Sequence, residues 1–307
     1  MNYIGVNGII TPSAEAVISV MDHGFMYGMG LFETFRTYQG EPFLLSRHLE
    51  RLRQGCLELG IRYDVREELL RNEIKQLLAA NELLDGYVRL TVSAGVGPLG
   101  LSSGDYAEPS VIIYVKPLPK HDPKLYAQGK ELWRLVTPRN TPEGKVRQKS
   151  LHYMNNILAK RELETLAPLA PLAPASSSAA TPEGLLLTSE GYLAEGIVSN
   201  LFFVLGGKLY TPSIETGILP GITRAFVLEL AAGQGLQYAE GSYTWDELLT
   251  ADEVFLTNSI QELVPATVLA EPGGTKPGGK RYSVGNGTIG PMTKMLLDRY
   301  RGYTKQD

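Results

Sequence analysis

The sequence predicts an α+β fold in two domains, a small N-terminal α/β domain over residues 1–116 and a larger C-terminal domain over 124–307. Three observations lead there. A chain of 307 residues can bury a substantial core and is long enough for two domains. Its first third alternates between period-2 apolar runs and stretches of helical apolar spacing, the mixture an α/β layer requires. Finally, Lys116-Pro-Leu-Pro-Lys-His-Asp-Pro123 concentrates prolines, which lack a backbone donor and resist both helix and central strand, so 117–123 reads as an interdomain linker.

In chain order, β-like runs at 3–6 and 9–11 flank Asn7-Gly8, a strong hairpin turn signal. Residues 32–38 alternate and end at Gln39-Gly40, another turn. Ser46 suits the cap of a helix over 47–59, with Gly60 at its C-terminal end. Within that helix Leu49, Leu52, Cys56 and Leu59 recur at helical spacing. A second helix over 66–80 carries Leu69, Leu70, Ile74, Leu77 and Leu78 on one face. Residues 87–93 and 111–115 read as strands. Beyond the linker, a strongly helical stretch follows Lys149, and a strand is expected near Leu185. Between them, 165–183 repeats Leu-Ala-Pro and then Ser/Ala, with no amphipathic face, and reads as a flexible surface insertion. An apolar helix is expected over 225–232 and a strand over 253–256. The glycine-rich run 273–279 reads as a second mobile loop.

Composition narrows the functional classes. With 43% apolar and 20% charged residues the chain is ordinary globular material, and a net charge of −4 gives no electrostatic reason to bind nucleic acid or an anionic membrane. One cysteine excludes an intramolecular disulfide and fits a reducing compartment. Its place in an apolar helical series makes Cys56 a core thiol. The N-terminus has no basic region followed by an apolar stretch, and no apolar run reaches membrane-spanning length. The expectation is a soluble cytoplasmic protein without a metal site.

The chemistry is carried by a few motifs. Lys149 has Arg139, Lys145 and Arg147 nearby in the chain, and positive neighbours favour the neutral amine that forms a Schiff base. Gly221-Ile-Thr-Arg224 opens an apolar helix, where free backbone N–H groups and the helix dipole make an anion site. Asn258-Ser259 forms a second turn after a strand, and two such turns with an arginine can satisfy a phosphate. Each residue taken alone also has an ordinary reading: Lys149 a solvated charge, Arg51 an exposed helix charge, Glu195 a surface carboxylate, Thr223 a helix cap, Thr34 a β-branched strand residue, Tyr153 a core aromatic.

The order and spacing of these motifs alter the balance. Asp22-His-Gly-Phe-Met-Tyr-Gly28, Phe32-Glu-Thr-Phe-Arg36, Glu195-Gly-Ile-Val-Ser-Asn200, Gly217-Ile-Leu-Pro-Gly221 and Phe255-Leu-Thr-Asn258-Ser259 together resemble the class IV (branched-chain and D-amino-acid) aminotransferase family over about residues 3–300. That family uses pyridoxal 5'-phosphate. The N-terminal motifs, with Arg139-Asn-Thr-Pro-Glu-Gly144 and His152-Tyr-Met-Asn-Asn156, look like its lyase branch, which converts 4-amino-4-deoxychorismate to 4-aminobenzoate and pyruvate in folate synthesis. The resemblance implies the two-domain fold type IV architecture, with a barrel-like sheet in the C-terminal domain. It implies a homodimer and functional coupling to aminodeoxychorismate synthase.

It also implies roles. Lys149 is the Schiff-base lysine, and Thr34 relays a proton. Arg51, Ile222, Thr223, Asn258 and Ser259 bind the cofactor at its phosphate end. Glu195 bonds the pyridine nitrogen, Asn200 braces the neighbouring backbone, and Tyr153 meets the phenolic oxygen. Tyr27, Phe32, Arg36 and Arg89 face the substrate, the arginines suiting carboxylates. The loop Gly95-Val-Gly-Pro-Leu-Gly-Leu101 lacks an arginine that some lyases carry, which leaves the carboxylate contacts open. The rivals are an aminotransferase of branched-chain or D-amino acids with the same lysine, and a cofactor-free binding or scaffold protein.

Overall fold

The structure, a computed structural model, describes residues 1–120, 122–167, 181–273 and 279–304. Most of the Leu-Ala-Pro insertion (168–180) and of the second loop (274–278) lies outside the described residues. The chain divides into two compact units: Met1–Leu118 with Gln148–His152, and Pro119–Arg147 with Tyr153–Asp307.

The first unit is an antiparallel six-stranded sheet. Its strands are β1 (Tyr3–Val6), β2 (Ile9–Pro12), β3 (Gly30–Tyr38), β4 (Glu41–Pro42), β5 (Tyr87–Ser93) and β6 (Ser110–Lys116), in the order β2-β1-β6-β5-β3-β4. Asn7 and Gly8 turn the first hairpin with φ of 49° and 80°, and Gln39-Gly40 repeats the device at 54° and 80°. Helices α2 (Leu45–Glu58) and α3 (Glu67–Ala80) cover one sheet face. Leu49, Leu52, Leu70, Ile74 and Leu77 pack there on Phe35, Val88 and Leu90, each contributing roughly 1.5–3 kcal/mol of transfer free energy.

Two boundary expectations shift. Helix α2 starts from Leu44, which adopts the left-handed conformation at φ 54°, and not from a Ser46 cap. The Ser46 hydroxyl donates to Glu67 Oε1 at 3.0 Å. Leu69 falls on the solvent side of α3, so its apolar stripe is Leu70, Ile74, Leu77 and Leu78. Cys56 is a core thiol, and burial pushes its pKa up to about 12.

A five-residue segment far along the chain also belongs to this unit. Phe32 N–H donates to Lys149 O at 2.9 Å and Leu151 N–H to Gly30 O at 3.0 Å, so the segment pairs with the first half of β3 while β4 pairs with its end. A division into two uninterrupted segments therefore misses the piece that carries Lys149.

In the second unit β7 (Lys130–Arg134), β8 (Glu183–Leu187), β9 (Leu193–Gly196), β10 (Asn200–Leu205), β13 (Glu253–Asn258) and β14 (Glu262–Glu271) follow one another around a closed ring. This is the expected barrel-like sheet. It closes between β9 and β10 at the single pair Glu195–Asn200. Leu132, Leu185, Leu193, Leu201, Phe203, Leu256 and Leu269, from all six strands, form one cluster inside it. Strands β11 (Lys208–Pro212) and β12 (Tyr238–Gly241) extend from β10, and β15 (Lys280–Ser283) from β14. Helix α5 (Met154–Leu166) packs on β8, and α6 (Ile222–Gly233) on β13. Thr165 and Leu166 thus belong to α5 and Glu183 to β8, shortening the expected insertion at both ends.

Candidate active site

In the first unit, β3 alternates. Leu31, Glu33 and Phe35 point at the helix-covered core, so Phe32, Thr34 and Arg36 share the opposite face. Arg89 stands directly across from Thr34 on β5. Its guanidinium carbon lies 3.6 Å from the Phe32 ring centroid, and its Nε donates to Thr91 Oγ1 at 3.3 Å. The Lys149 amine reaches the same ring, with Nζ 4.7 Å from the centroid. Arg36 lies over the Tyr38 ring at 4.3 Å. One sheet face therefore gathers Lys149, Phe32, Thr34, Arg36 and Arg89. Tyr27 ends the short helix α1 (His23–Tyr27), and its hydroxyl accepts from Gly100 N–H at 2.9 Å, fixing the 97–101 loop.

On the other face, α2 presents Arg51 to Glu33, with Nε to Oε1 at 2.7 Å and Nη2 to Oε2 at 2.6 Å. His48 Nδ1 completes the cluster, 2.6 Å from Glu33 Oε2. Burial pushes the Glu33 carboxyl up, but Arg51 and His48 outweigh it and hold the pKa at about 2. Burial lowers the His48 pKa in spite of its bond to Glu33. Sequence reasoning missed Glu33 and His48. The available signal was a carboxylate at an inward position of an alternating strand.

In the second unit, Glu195 is a buried carboxylate, which removes the surface reading. Oε1 accepts from Arg139 Nε at 2.7 Å, with Arg147 Nε at 3.9 Å. Oε2 accepts from Leu219 N–H at 3.0 Å and Asn200 Nδ2 at 3.3 Å. Asn200 also donates to Leu219 O at 2.9 Å, so it braces both the carboxylate and the turn that leads into α6. The arginines that closely precede Lys149 in the chain have partners of their own within this unit. Arg139 and Arg147 engage Glu195, Asn140, Asn155 and the Gly217 carbonyl, and Lys145 is exposed. Burial, then Arg139, lowers the Arg147 pKa to about 10.

Helix α6 starts three residues earlier than expected, at Ile222, and its N-cap, Gly221, has no side chain with which to cap the first turn. A Cβ on Gly221 would stand 2.0 Å from Asn200 Oδ1, so the close approach requires glycine. Thr223 Oγ1 lies 3.2 Å from Ser259 Oγ, which brings the two expected turns together. Asn258 Oδ1 accepts from Ile260 N–H at 2.9 Å and Gln261 N–H at 2.8 Å, shaping the second turn. Arg224 does not serve as the arginine for an anion, because it is buried on Glu240, Thr211 and the Pro212 carbonyl. Tyr153 is half-buried at the start of α5.

Within this unit the residues fit a phosphorylated pyridine cofactor. Two hydroxyls and an uncapped helix N-terminus suit a phosphate, and the buried carboxylate suits a protonated ring nitrogen. The buried Thr257 hydroxyl, two residues before Ser259, has no hydrogen-bond partner among the described residues, an unsatisfied polar group of the kind that functional sites contain.

The amino-transferase class IV family model matches residues 30–269. Aminodeoxychorismate lyase of Bacillus subtilis (strain 168) is 43% identical over 270 residues, covering 87% of each chain. The crystal structure of 4-amino-4-deoxychorismate lyase from Pseudomonas aeruginosa superposes with a TM-score of 0.78 at 32% identity, over 97% of this chain and 98% of that one. The T.th. branched-chain amino acid aminotransferase with pyridoxamine 5'-phosphate gives a TM-score of 0.81 at 28% identity, over 99% of this chain and 94% of that one.

Proposed function

The chain belongs to the class IV aminotransferase family, and we propose that within it the protein is a pyridoxal 5'-phosphate-dependent lyase that converts 4-amino-4-deoxychorismate to 4-aminobenzoate and pyruvate. The observation that carries the lyase reading is the 43% identity to a curated aminodeoxychorismate lyase over 87% of both chains. The sheet face of the first unit supports it. One amine, one hydroxyl and two guanidiniums suit a substrate with an amine, a departing enolpyruvyl group and two carboxylates.

When bound, the cofactor supplies an electron sink for charge left at the amine-bearing carbon. With the cofactor bound, Lys149 would anchor it through its amine and would serve as the base that takes the proton from the amine-bearing carbon. Thr34 relays a proton to the departing enolpyruvyl group, which leaves as pyruvate while the substrate ring becomes aromatic. Arg36 and Arg89 orient the carboxylates, with Phe32 and Tyr27 beside them. Ile222, Thr223, Asn258 and Ser259 would hold the phosphate end, while the expected contribution of Arg51 competes with its bidentate pairing to Glu33. Glu195 would accept from the pyridine nitrogen, Asn200 keeps that carboxylate aligned, and Tyr153 would bond the phenolic oxygen. An aminotransferase is the second reading, favoured by the likeness to the branched-chain enzyme with pyridoxamine 5'-phosphate. Incubation with 4-amino-4-deoxychorismate or with D-alanine and branched-chain donors, each with a 2-oxo acid, separates the two. The lyase releases 4-aminobenzoate without needing the oxo acid, whereas amino-group exchange alone contradicts this reading.

A homodimer is part of the proposal. Val17, Val20, Phe25, Val96, Leu99 and Leu101 are exposed on the first unit, and the Gly97 N–H bond to Met21 O at 3.1 Å joins their two segments into one patch. Apolar patches of this kind mark interaction surfaces. Among the described residues no helix is long and apolar enough to cross a membrane. A cytoplasmic location fits the single buried thiol, and functional coupling to the synthase that supplies the substrate completes the proposal.

A further inference from the structure

Glu195 is held from one side by an arginine that its cofactor role alone does not explain. Arg139 Nε donates to Glu195 Oε1 at 2.7 Å. The other end of the guanidinium is fixed as well, Nη1 donating to Asn155 Oδ1 at 2.7 Å and to Asn140 Oδ1 at 3.0 Å. Asn155 is pinned in turn by its own bond to the Pro138 carbonyl at 2.9 Å. The neighbouring Asn156 holds the Ile197 carbonyl at 2.5 Å, on the loop that joins β9 to β10. Two consecutive asparagines at the start of α5 thus brace both sides of the carboxylate. Arg147 has a different task. Its Nε is 3.9 Å from Glu195 Oε1 but only 2.5 Å from the Gly217 carbonyl, so it clamps backbone.

We propose that Arg139 is the positioning residue that sets where the proton shared by Glu195 and the cofactor's pyridine nitrogen resides, keeping it on the nitrogen. The inference rests on the reading that Glu195 faces that nitrogen. Moving the proton from nitrogen to carboxylate neutralises both groups. Arg139 then loses its attraction to the carboxylate and escapes its repulsion from the pyridinium. Coulomb energy falls with distance, and Arg139 is in direct hydrogen-bond contact with the carboxylate, so the first change is larger. The guanidinium therefore favours the ionic pair and, through it, the protonated ring that accepts charge best. Burial strengthens the effect, because both side chains are less than a tenth exposed.

The test uses the holoenzyme reconstituted with cofactor carrying 15N at the pyridine position, and reads the nitrogen's NMR shift in four proteins. In Glu195→Gln the signal moves toward the neutral-pyridine position. In Arg139→Gln it moves the same way by a substantial part of that amount, and in Arg139→Lys by less, since the charge remains and the aligned bond is lost. Asn155→Leu keeps the arginine but frees one end, and gives a smaller shift of the same sign should Arg139→Gln fail to fold. A wild-type signal in the Arg139 and Asn155 variants, with a displaced one in Glu195→Gln, overturns the proposal and leaves the Glu195 reading intact. An unmoved signal in Glu195→Gln overturns both and traces the failure to that reading. A purely structural role for Arg139 predicts a lower melting temperature with no change in the nitrogen shift.

Discussion

The sheet face that carries Lys149 and the surroundings of Glu195 treat charge in opposite ways. On the first unit's sheet face, Lys149, Arg36 and Arg89 are half-exposed and lie against aromatic rings, contacts that hold position while leaving the side chains within reach of solvent. In the second unit, Glu195 is buried and both its oxygens are engaged by Arg139, Leu219 and Asn200. The contrast follows the proposed chemistry. An amine that must bond the cofactor, leave it and carry a proton needs room, whereas a carboxylate that tunes a ring nitrogen must stay still.

The comparison breaks most completely at Lys149. Lys149→Ala removes the Schiff-base amine and no core packing, so turnover and the borohydride-reducible absorbance both vanish while far-ultraviolet dichroism is unchanged. The second unit, untouched, still binds pyridoxal 5'-phosphate non-covalently, with equilibrium dialysis as the check. Thr34→Val comes next. Valine suits a strand, and losing a general-acid contribution lowers elimination ~100- to 10,000-fold. Any side transamination survives, because it needs the lysine and the ring; equal loss of both activities means a displaced strand instead.

Within the fixed region, Glu195→Gln slows chemistry strongly but retains cofactor. It also leaves Arg139 buried without its counter-charge, which costs about 3–5 kcal/mol in chemical denaturation. Gly221→Ala drives a Cβ against Asn200 Oδ1 and is expected to lose about 1–3 kcal/mol, read as a lower melting temperature and weaker binding of the phosphorylated cofactor.

The Glu33 cluster sharpens the contrast, since it is the first unit's own fixed charge. The folded pKa of about 2 lies below the ordinary 4.5, so its contribution is complete above about pH 4.5 and disappears as the pH falls toward 2. That depression corresponds to an order of 3 kcal/mol, from about 1.4 kcal/mol per unit. Glu33→Gln therefore flattens the acid limb of a stability-versus-pH curve between about pH 5 and pH 2. A limb as steep as wild type shows that other carboxylates control it.

Much of the fold was legible because local chemistry determined it. Asn-Gly and Gln-Gly turns and the leucine spacing of α3 each state their structure in a few residues. Glu195, Thr223 and Ser259 were legible as motifs, yet not as geometry. The bond that closes the barrel joins Glu195 to Asn200 only after six strands have met, and no short window of sequence contains that fact. Arg139 and Arg147 were read as neighbours of Lys149 because they precede it in the chain. The backbone leaves one unit and enters the other at Gln148, and the bonds of both arginines to Glu195, Asn155 and the Gly217 carbonyl join segments far apart in sequence. Glu33 escaped notice because a buried carboxylate makes sense only once His48 and Arg51 are seen beside it.

The central claim, that the amine on the open sheet face drives elimination rather than amino transfer, is tested most directly by stoichiometry. Purified holoenzyme is given 4-amino-4-deoxychorismate with no 2-oxo acid, and both products are quantified. The account predicts 4-aminobenzoate and pyruvate in equal amounts over many turnovers, with Lys149→Ala producing neither. No 4-aminobenzoate, or turnover that stops after one equivalent until a 2-oxo acid is added, contradicts it.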